Sequence, residues 1–119
     1  MKSSGQSGAR AEAVLSQAIE QLWVRFLPDT RQRISILEAA AAALAANTLT
    51  PSLCQEAHDA AHKLAGALGT FNLPRGTDLA RELELIFSPK DLPDPGSAEH
   101  VSAAAAELRA MVENRPSNS

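Results

Sequence analysis

Apolar side chains recur every three or four residues along most of this chain, which is the spacing of one buried face of an α-helix. The pattern predicts a first helix that begins near Ala9 and is ended or bent by Pro28, because a proline inside a helix removes a hydrogen bond. Asp29 or Thr30 is then expected to cap a second helix that continues to Asn47. The positions expected to face the core are Leu15, Ile19, Leu22, Phe26, Ile34, Leu37, Ala41 and Leu44.

Three further helices are predicted downstream. Thr50 and Pro51 mark the start of the third, because a threonine hydroxyl caps a helix and proline suits its first position. That helix runs to about Phe71, and Pro74 opens the fourth. Prolines interrupt residues 88–97, which therefore form a loop whose last serine caps a fifth helix. The inward positions are Leu53, Ala57, Ala60, Leu64, Leu68 and Phe71, then Leu79, Leu83 and Ile86, then Val101, Ala104, Leu108, Met111 and Val112.

Helices joined by short connections, each with one apolar stripe, favour an all-α fold. We expect an antiparallel bundle of about five helices with a four-helix core, formed by residues 9–114. Residues 1–8 are small and polar, so they are expected to be a disordered lead or a remnant of an expression tag, and residues 115–119 a frayed tail.

Composition excludes several classes of function. With 119 residues the chain is long enough for one domain with a real core, and aromatic residues are too few, at 3%, to favour a sheet. A net charge of −3 and a pI near 5.5 leave no basic stripe for nucleic acid. Neither a membrane-spanning run nor a signal peptide is evident. Cys54 is the one cysteine, and we expect it to fill the core. A cytoplasmic monomer is expected.

The candidate chemistry lies in the third predicted helix. At 100° per residue, His62 falls on the side opposite the apolar arc, so it is displayed to solvent. Gly66 and Gly69 follow one and two turns later, although a glycine inside a helix costs about 1 kcal/mol relative to alanine. This spacing suggests that empty space is wanted beside His62. The simplest alternative is a surface histidine with no task.

These residues resemble a known family. His62, the basic Lys63, Gly66 and Gly69, followed by a second amphipathic helix ending in the stretch 79–84, are similar to the histidine phosphotransfer (HPt) domains of bacterial phosphorelays. The resemblance implies that His62 accepts a phosphoryl group from the aspartate of a response-regulator receiver domain, or from a sensor histidine kinase, and passes it on. Neutral imidazole suits this role because it is a nitrogen nucleophile near neutral pH. No ATP-binding motif is visible, so a phosphocarrier and not an enzyme is expected.

The resemblance also implies roles for neighbouring residues. Glu84 stands where family members often carry a residue that accepts a hydrogen bond from the phosphorylated ring. The family often places a lysine three positions after the histidine, but this chain has Ala65 there, so either Lys63 alone compensates the charge of the phosphoryl group or the partner supplies that compensation. Any magnesium would belong to the receiver, so no cofactor is predicted. The expected docking stripe is Gln55, His58, Asp59, His62, Gly66 and Gly69.

Two other functions remain open from the sequence. The missing lysine at position 65 is compatible with a helical docking module that binds a signalling partner without ever being phosphorylated. His58 and His62 lie four residues apart on one face and could bind a divalent metal, but the further ligands of a zinc site are missing from the pattern.

Overall fold

A computed structural model describes residues 2–115 and the side chains of residues 8–115. Its elements are α1 (Lys2–Ala45), α2 (Pro51–Thr70), α3 (Pro74–Ile86), a 3-10 turn (Pro95–Ser97) and α4 (Ala98–Glu113). The part of the chain that the structure describes contains no strand, and the predicted all-α bundle is confirmed. Helix α2 and helix α3 are antiparallel, since Cys54 lies near Ser88 at one end and Gly69 near Thr77 at the other.

The first two predicted helices are one helix, so the prediction that Pro28 ends the first was wrong. Trp23 before Pro28 and Ile34 after it are both buried in the same core, and this packing outweighs the cost of a proline inside a helix. Thr30, one of the two predicted caps, instead lies buried within α1. Its hydroxyl donates to the carbonyl of Phe26 at 2.9 Å. The described chain therefore has four α-helices where about five were predicted.

The inward face predicted for the N-terminal part of α1 was also partly wrong. Leu15, Leu22 and Phe26 are exposed, and the side chain that reaches the core there is Trp23. Helix α1 begins at Lys2, ahead of the predicted start, and every side chain from residue 8 to residue 18 is exposed. This part of the helix extends beyond the other three, so the apolar side chains from residue 8 to residue 18 pack against none of the described residues of α2, α3 or α4. Residues 1 and 116–119, part of the predicted lead and tail, lie outside the described residues.

The four helices share one core. Helices α2, α3 and α4 bury the faces that were predicted, and α1 does so from Ile34 onward. Fully burying one large apolar side chain contributes about 1.5–3 kcal/mol, so this core dominates the stability. The largest fully buried apolar side chains are Phe87, Ile34, Leu37, Leu44, Leu64, Leu68, Leu83 and Leu108. Gly76 permits the close approach of α3 to α2, because a Cβ there would meet Leu68 Cδ1 at 3.0 Å.

Polar contacts fix the helix ends and the position of α4. Thr50 caps α2 as predicted, accepting from the backbone N–H of Leu53 at 3.1 Å, with Pro51 in the first turn. Ser97 does not cap α4 through its side chain, because its hydroxyl donates to the Asp94 carbonyl at 2.6 Å within the preceding 3-10 turn. Helix α4 is joined to α1 by arginine–glutamate pairs. Among these, Arg31 binds both oxygens of Glu113, at 2.8 and 2.9 Å, and holds the pKa of that carboxyl below its usual range.

Replacing Pro28 by alanine is expected to stabilise the protein. The substitution restores the backbone N–H that proline lacks and removes its clash with the preceding turn, which should raise the free energy of unfolding by about 1–3 kcal/mol. Urea denaturation followed by circular dichroism measures the change. Pro74→Ala is the matched control, since Pro74 occupies the first turn of α3 where no such bond is lost. Equal or lower stability of Pro28→Ala would contradict this account of α1.

Candidate functional site

His62 lies in the middle of α2, and 71% of its side chain is exposed. The buried face of α2 is wider than predicted, because Cys54, Ala61 and Ala65 join it on the side that faces α3. His62 therefore stands at the edge of the core next to α3, and not directly opposite the core. This position keeps its ring open to solvent while leaving one edge within reach of α3.

Glu84 of α3 contacts that edge. Its Oε2 lies 2.9 Å from Nδ1 of His62. An ionised carboxylate can only accept, so the ring proton is on Nδ1 and the lone pair of the neutral ring is on Nε2. Within the described residues Nε2 has no hydrogen-bond partner. The pair thus presents one defined nitrogen of an exposed imidazole to solvent.

His58, one turn earlier on α2, binds the backbone of the same glutamate. Its Nδ1–H donates to the carbonyl of Glu84 at 2.9 Å. This carbonyl is in the last turn of α3, where the helix supplies no partner of its own. His58 is half-buried, so the bond is partly shielded from water. It ties down the backbone whose side chain orients His62.

Cys54 fills the core close to the end of α3. The Cys54 thiol is buried, 3.7 Å from the carbonyl of Ser88, and burial raises its pKa, as expected of a core residue.

The structure also bears on the possible metal site at His58 and His62. Both histidines use Nδ1 to bind Glu84. No group of three His, Cys, Asp or Glu side chains in residues 8–115 is arranged to hold a metal ion.

An open groove between α2 and α3 surrounds the imidazole. It is lined by His62, Ala65, Gly66, Arg81, Glu84 and Leu85. A Cβ built on Gly66 would meet no atom within 4 Å, and α2 continues to Thr70, so neither internal packing nor a helix end requires glycine there. Gly69 is exposed too, with Thr77 Oγ1 at 3.7 Å from a Cβ built on it. Within the described residues, no atom therefore fills the space over Gly66, one turn from His62.

Lys63 lies on the other side of α2. It lines a second groove, between α2 and α1, with the acidic residues Asp29, Glu56 and Asp59. Asp59 also accepts a hydrogen bond from Gln55 at 3.0 Å. The predicted docking stripe is exposed along α2, except for the half-buried His58. The two charged residues predicted to act on His62 lie in different grooves, Glu84 in the groove with His62 and Lys63 in the groove toward α1.

The sequence interpretation missed Arg81 and Leu85. Arg81 lies three residues before Glu84 and Leu85 one residue after it, so all three project toward the same groove. Leu85 is 79% exposed, the largest exposed fraction among the large apolar side chains described. Because the resemblance indicates Glu84, the three-residue spacing between Arg81 and Glu84 is the sequence signal that points to Arg81.

A four-helix bundle with an exposed, oriented histidine defines a class of phosphocarrier domains. The sequence profile of the Hpt domain family matches residues 21–116, most of the chain, and the chain belongs to this family. Hpt domains are phosphocarriers in two-component phosphorelays, where they interact with receivers and kinases, and they are not kinases themselves.

A curated relative extends the comparison. The chain is similar to Protein RcaC of Microchaete diplosiphon, at 29% identity over 96 residues. The match covers 81% of this chain and 15% of the relative. No solved structure matches the chain at a significant level. None of the helices in the described residues is long and apolar enough to cross a membrane.

Replacing Glu84 by alanine should change the tautomer of His62. The wild-type carboxylate holds the proton on Nδ1, and without it the ring should return to the Nε2–H tautomer that free histidine prefers in water, while the backbone bond to His58 is kept. Nitrogen-15 NMR of the two ring nitrogens at alkaline pH, where the imidazole is neutral, measures the ratio. Glu82→Ala is the matched control, because Glu82 contacts His100. An unchanged His62 spectrum in Glu84→Ala would contradict the orienting bond.

Proposed function

We propose that His62 is the phosphoacceptor of this Hpt domain and that it exchanges a phosphoryl group with the aspartate of a receiver domain. The observation that carries the proposal is the contact of His62 Nδ1 with Glu84 at 2.9 Å on a side chain that is 71% exposed. His58 donates Nδ1–H to a backbone carbonyl and is half-buried, and His100 pairs with Glu82 in a different part of the surface. Neither of these lines the groove that holds His62 and Gly66.

The chemistry follows from the orientation of the ring. The lone pair on Nε2 attacks the phosphorus of the receiver's aspartyl phosphate, a P–N bond forms, and the P–O bond breaks with its electron pair leaving on the aspartate carboxylate. The Nδ1 proton stays in the hydrogen bond to Glu84, whose charge stabilises the positive ring of the product. The reverse step returns the phosphoryl group to an aspartate. The domain contributes position and charge to this step.

The receiver approaches His62 across the outer face of α2. Gln55, Asp59, Gly66 and Gly69 are exposed there, and the empty space above Gly66 admits the rim of the partner's active site. Leu85, 79% exposed beside the groove, supplies an apolar contact of the kind found at the centre of transient interfaces. Charge compensation by Lys63 stays a prediction. Lys63 lines the groove between α2 and α1, on the other side of α2 from the His62 groove.

Phosphorylation of single-histidine variants tests the acceptor. The chain is incubated with phosphoramidate, and separately with receiver domains from the source genome charged by acetyl phosphate. Acid-labile phosphate on the wild type should be lost in His62→Gln and kept in His100→Gln, the matched control for an exposed histidine paired with glutamate. Persistent label on His62→Gln, or no label on any version from either donor, would contradict the proposal and favour a docking module that is never phosphorylated.

Substitutions at Gly66 should separate stability from partner access. Gly66→Ala is expected to raise the free energy of unfolding by about 1 kcal/mol, because the helix gains a better former and the added Cβ meets nothing. Gly66→Gln should slow phosphoryl transfer from a receiver about tenfold or more, because a side chain over the groove costs a few kcal/mol of partner contact, and leave labelling by phosphoramidate within about twofold. Unchanged receiver transfer in Gly66→Gln would show that the clearance is not used.

A further inference from the structure

Glu84 and a phosphoryl group on His62 both place negative charge beside the imidazole ring. A phosphoryl group brings about two negative charges. Glu84 already places a carboxylate 2.9 Å from the other ring nitrogen. Position 65, next to this face of α2, is a buried alanine, and Lys63 lies in the groove on the far side of α2. A cation from another element on the His62 side of α2 would offset this negative charge.

Arg81 of α3 lies in the required place. It lines the same groove as His62, Ala65 and Gly66, one turn before Glu84. Because α2 and α3 are antiparallel, moving back one turn along α3 corresponds to moving forward along α2, which sets Arg81 across from residues 65 and 66. The small side chain of Ala65 leaves the groove open for a long side chain to cross.

The guanidinium of Arg81 is also not engaged elsewhere. Within the described residues it forms no ion pair or side-chain hydrogen bond, whereas Arg31, Arg75 and Arg109 each bind a glutamate. Arg10, Arg25 and Arg33 form no ion pair in the described residues either, but Arg81 is the arginine that lines the His62 groove, and it is exposed there. Its planar fork of N–H donors matches two oxygens of a phosphoryl group.

We propose that Arg81 is a phosphoryl-binding residue that donates to the oxygens of the group on His62 and stabilises their charge during transfer. This rests on His62 being the acceptor. Arg81 takes, from the neighbouring helix, the place that a lysine within α2 would otherwise fill. Lys63, which lines the groove on the other side of α2 together with Asp29, Arg33 and Glu56, contributes little to the phosphoryl group.

Two donors and three variants test this assignment. Arg81→Gln, Arg81→Lys and Lys63→Gln are each labelled by phosphoramidate and by a phosphorylated receiver, with circular dichroism to establish folding. Arg81→Gln should slow labelling from both donors about tenfold or more, because one charged donor to the transferring group is lost. Arg81→Lys should recover part of the rate, and Lys63→Gln should stay within about twofold of the wild type. The phosphorus-31 resonance of the phosphorylated chain should move in Arg81→Gln and not in Lys63→Gln.

The contrary outcomes are distinct. Equal labelling of Arg81→Gln and the wild type, or a larger loss in Lys63→Gln, overturns the assignment. Slower transfer from the receiver alone, with unchanged phosphoramidate labelling and an unchanged phosphorus resonance, also overturns it, because Arg81 would then contact only the partner. A wild type that takes no label from either donor is a failure of the proposed acceptor itself.

Discussion

The attachment of the C-terminal end of α3 to the middle of α2 is the constraint on which the site depends. Glu84 makes both contacts: its backbone carbonyl accepts from His58 and its carboxylate from His62, each at 2.9 Å. The first contact satisfies a helix-end carbonyl and fixes the backbone, and the second fixes the tautomer of an exposed ring. If the backbone of Glu84 were mobile, its carboxylate would exchange the bond to His62 for bonds to water. The orientation of His62 therefore also depends on the bond from the half-buried His58.

The two sides of α2 have different roles in this account. The side toward α3 holds an imidazole, an arginine without an ion pair in the described residues, an exposed leucine and a glycine that internal packing does not require. The side toward α1 holds Lys63 among carboxylates. Gly76, by contrast, is a glycine that packing does use, since it brings α3 close to Leu68. Gly76 therefore contributes to the packing of the fold, because an added Cβ there would meet Leu68, whereas an added Cβ at Gly66 would meet no described atom.

Much of this arrangement could be predicted from the sequence, and the failures have physical causes. The bounds of α2, its cap at Thr50 and the exposure of His62 followed from periodicity and capping chemistry, which are local. The pairing with Glu84 followed from a resemblance that spans two helices. The prediction that Pro28 ends the first helix was wrong because the packing of Trp23 and Ile34 in one core outweighs the local cost of a proline. Arg81 was missed because its relevance depends on the antiparallel register of α2 and α3, which no single helix pattern contains.

The most direct test of the central claim is to identify which ring nitrogen carries phosphorus after labelling. Phosphorus–nitrogen coupling in a nitrogen-15-labelled sample distinguishes the two phosphohistidine isomers and assigns the residue. Because Glu84 holds the proton on Nδ1, phosphorus should be found on Nε2 of His62. Phosphorus on Nδ1, or on His58 or His100, would contradict the account.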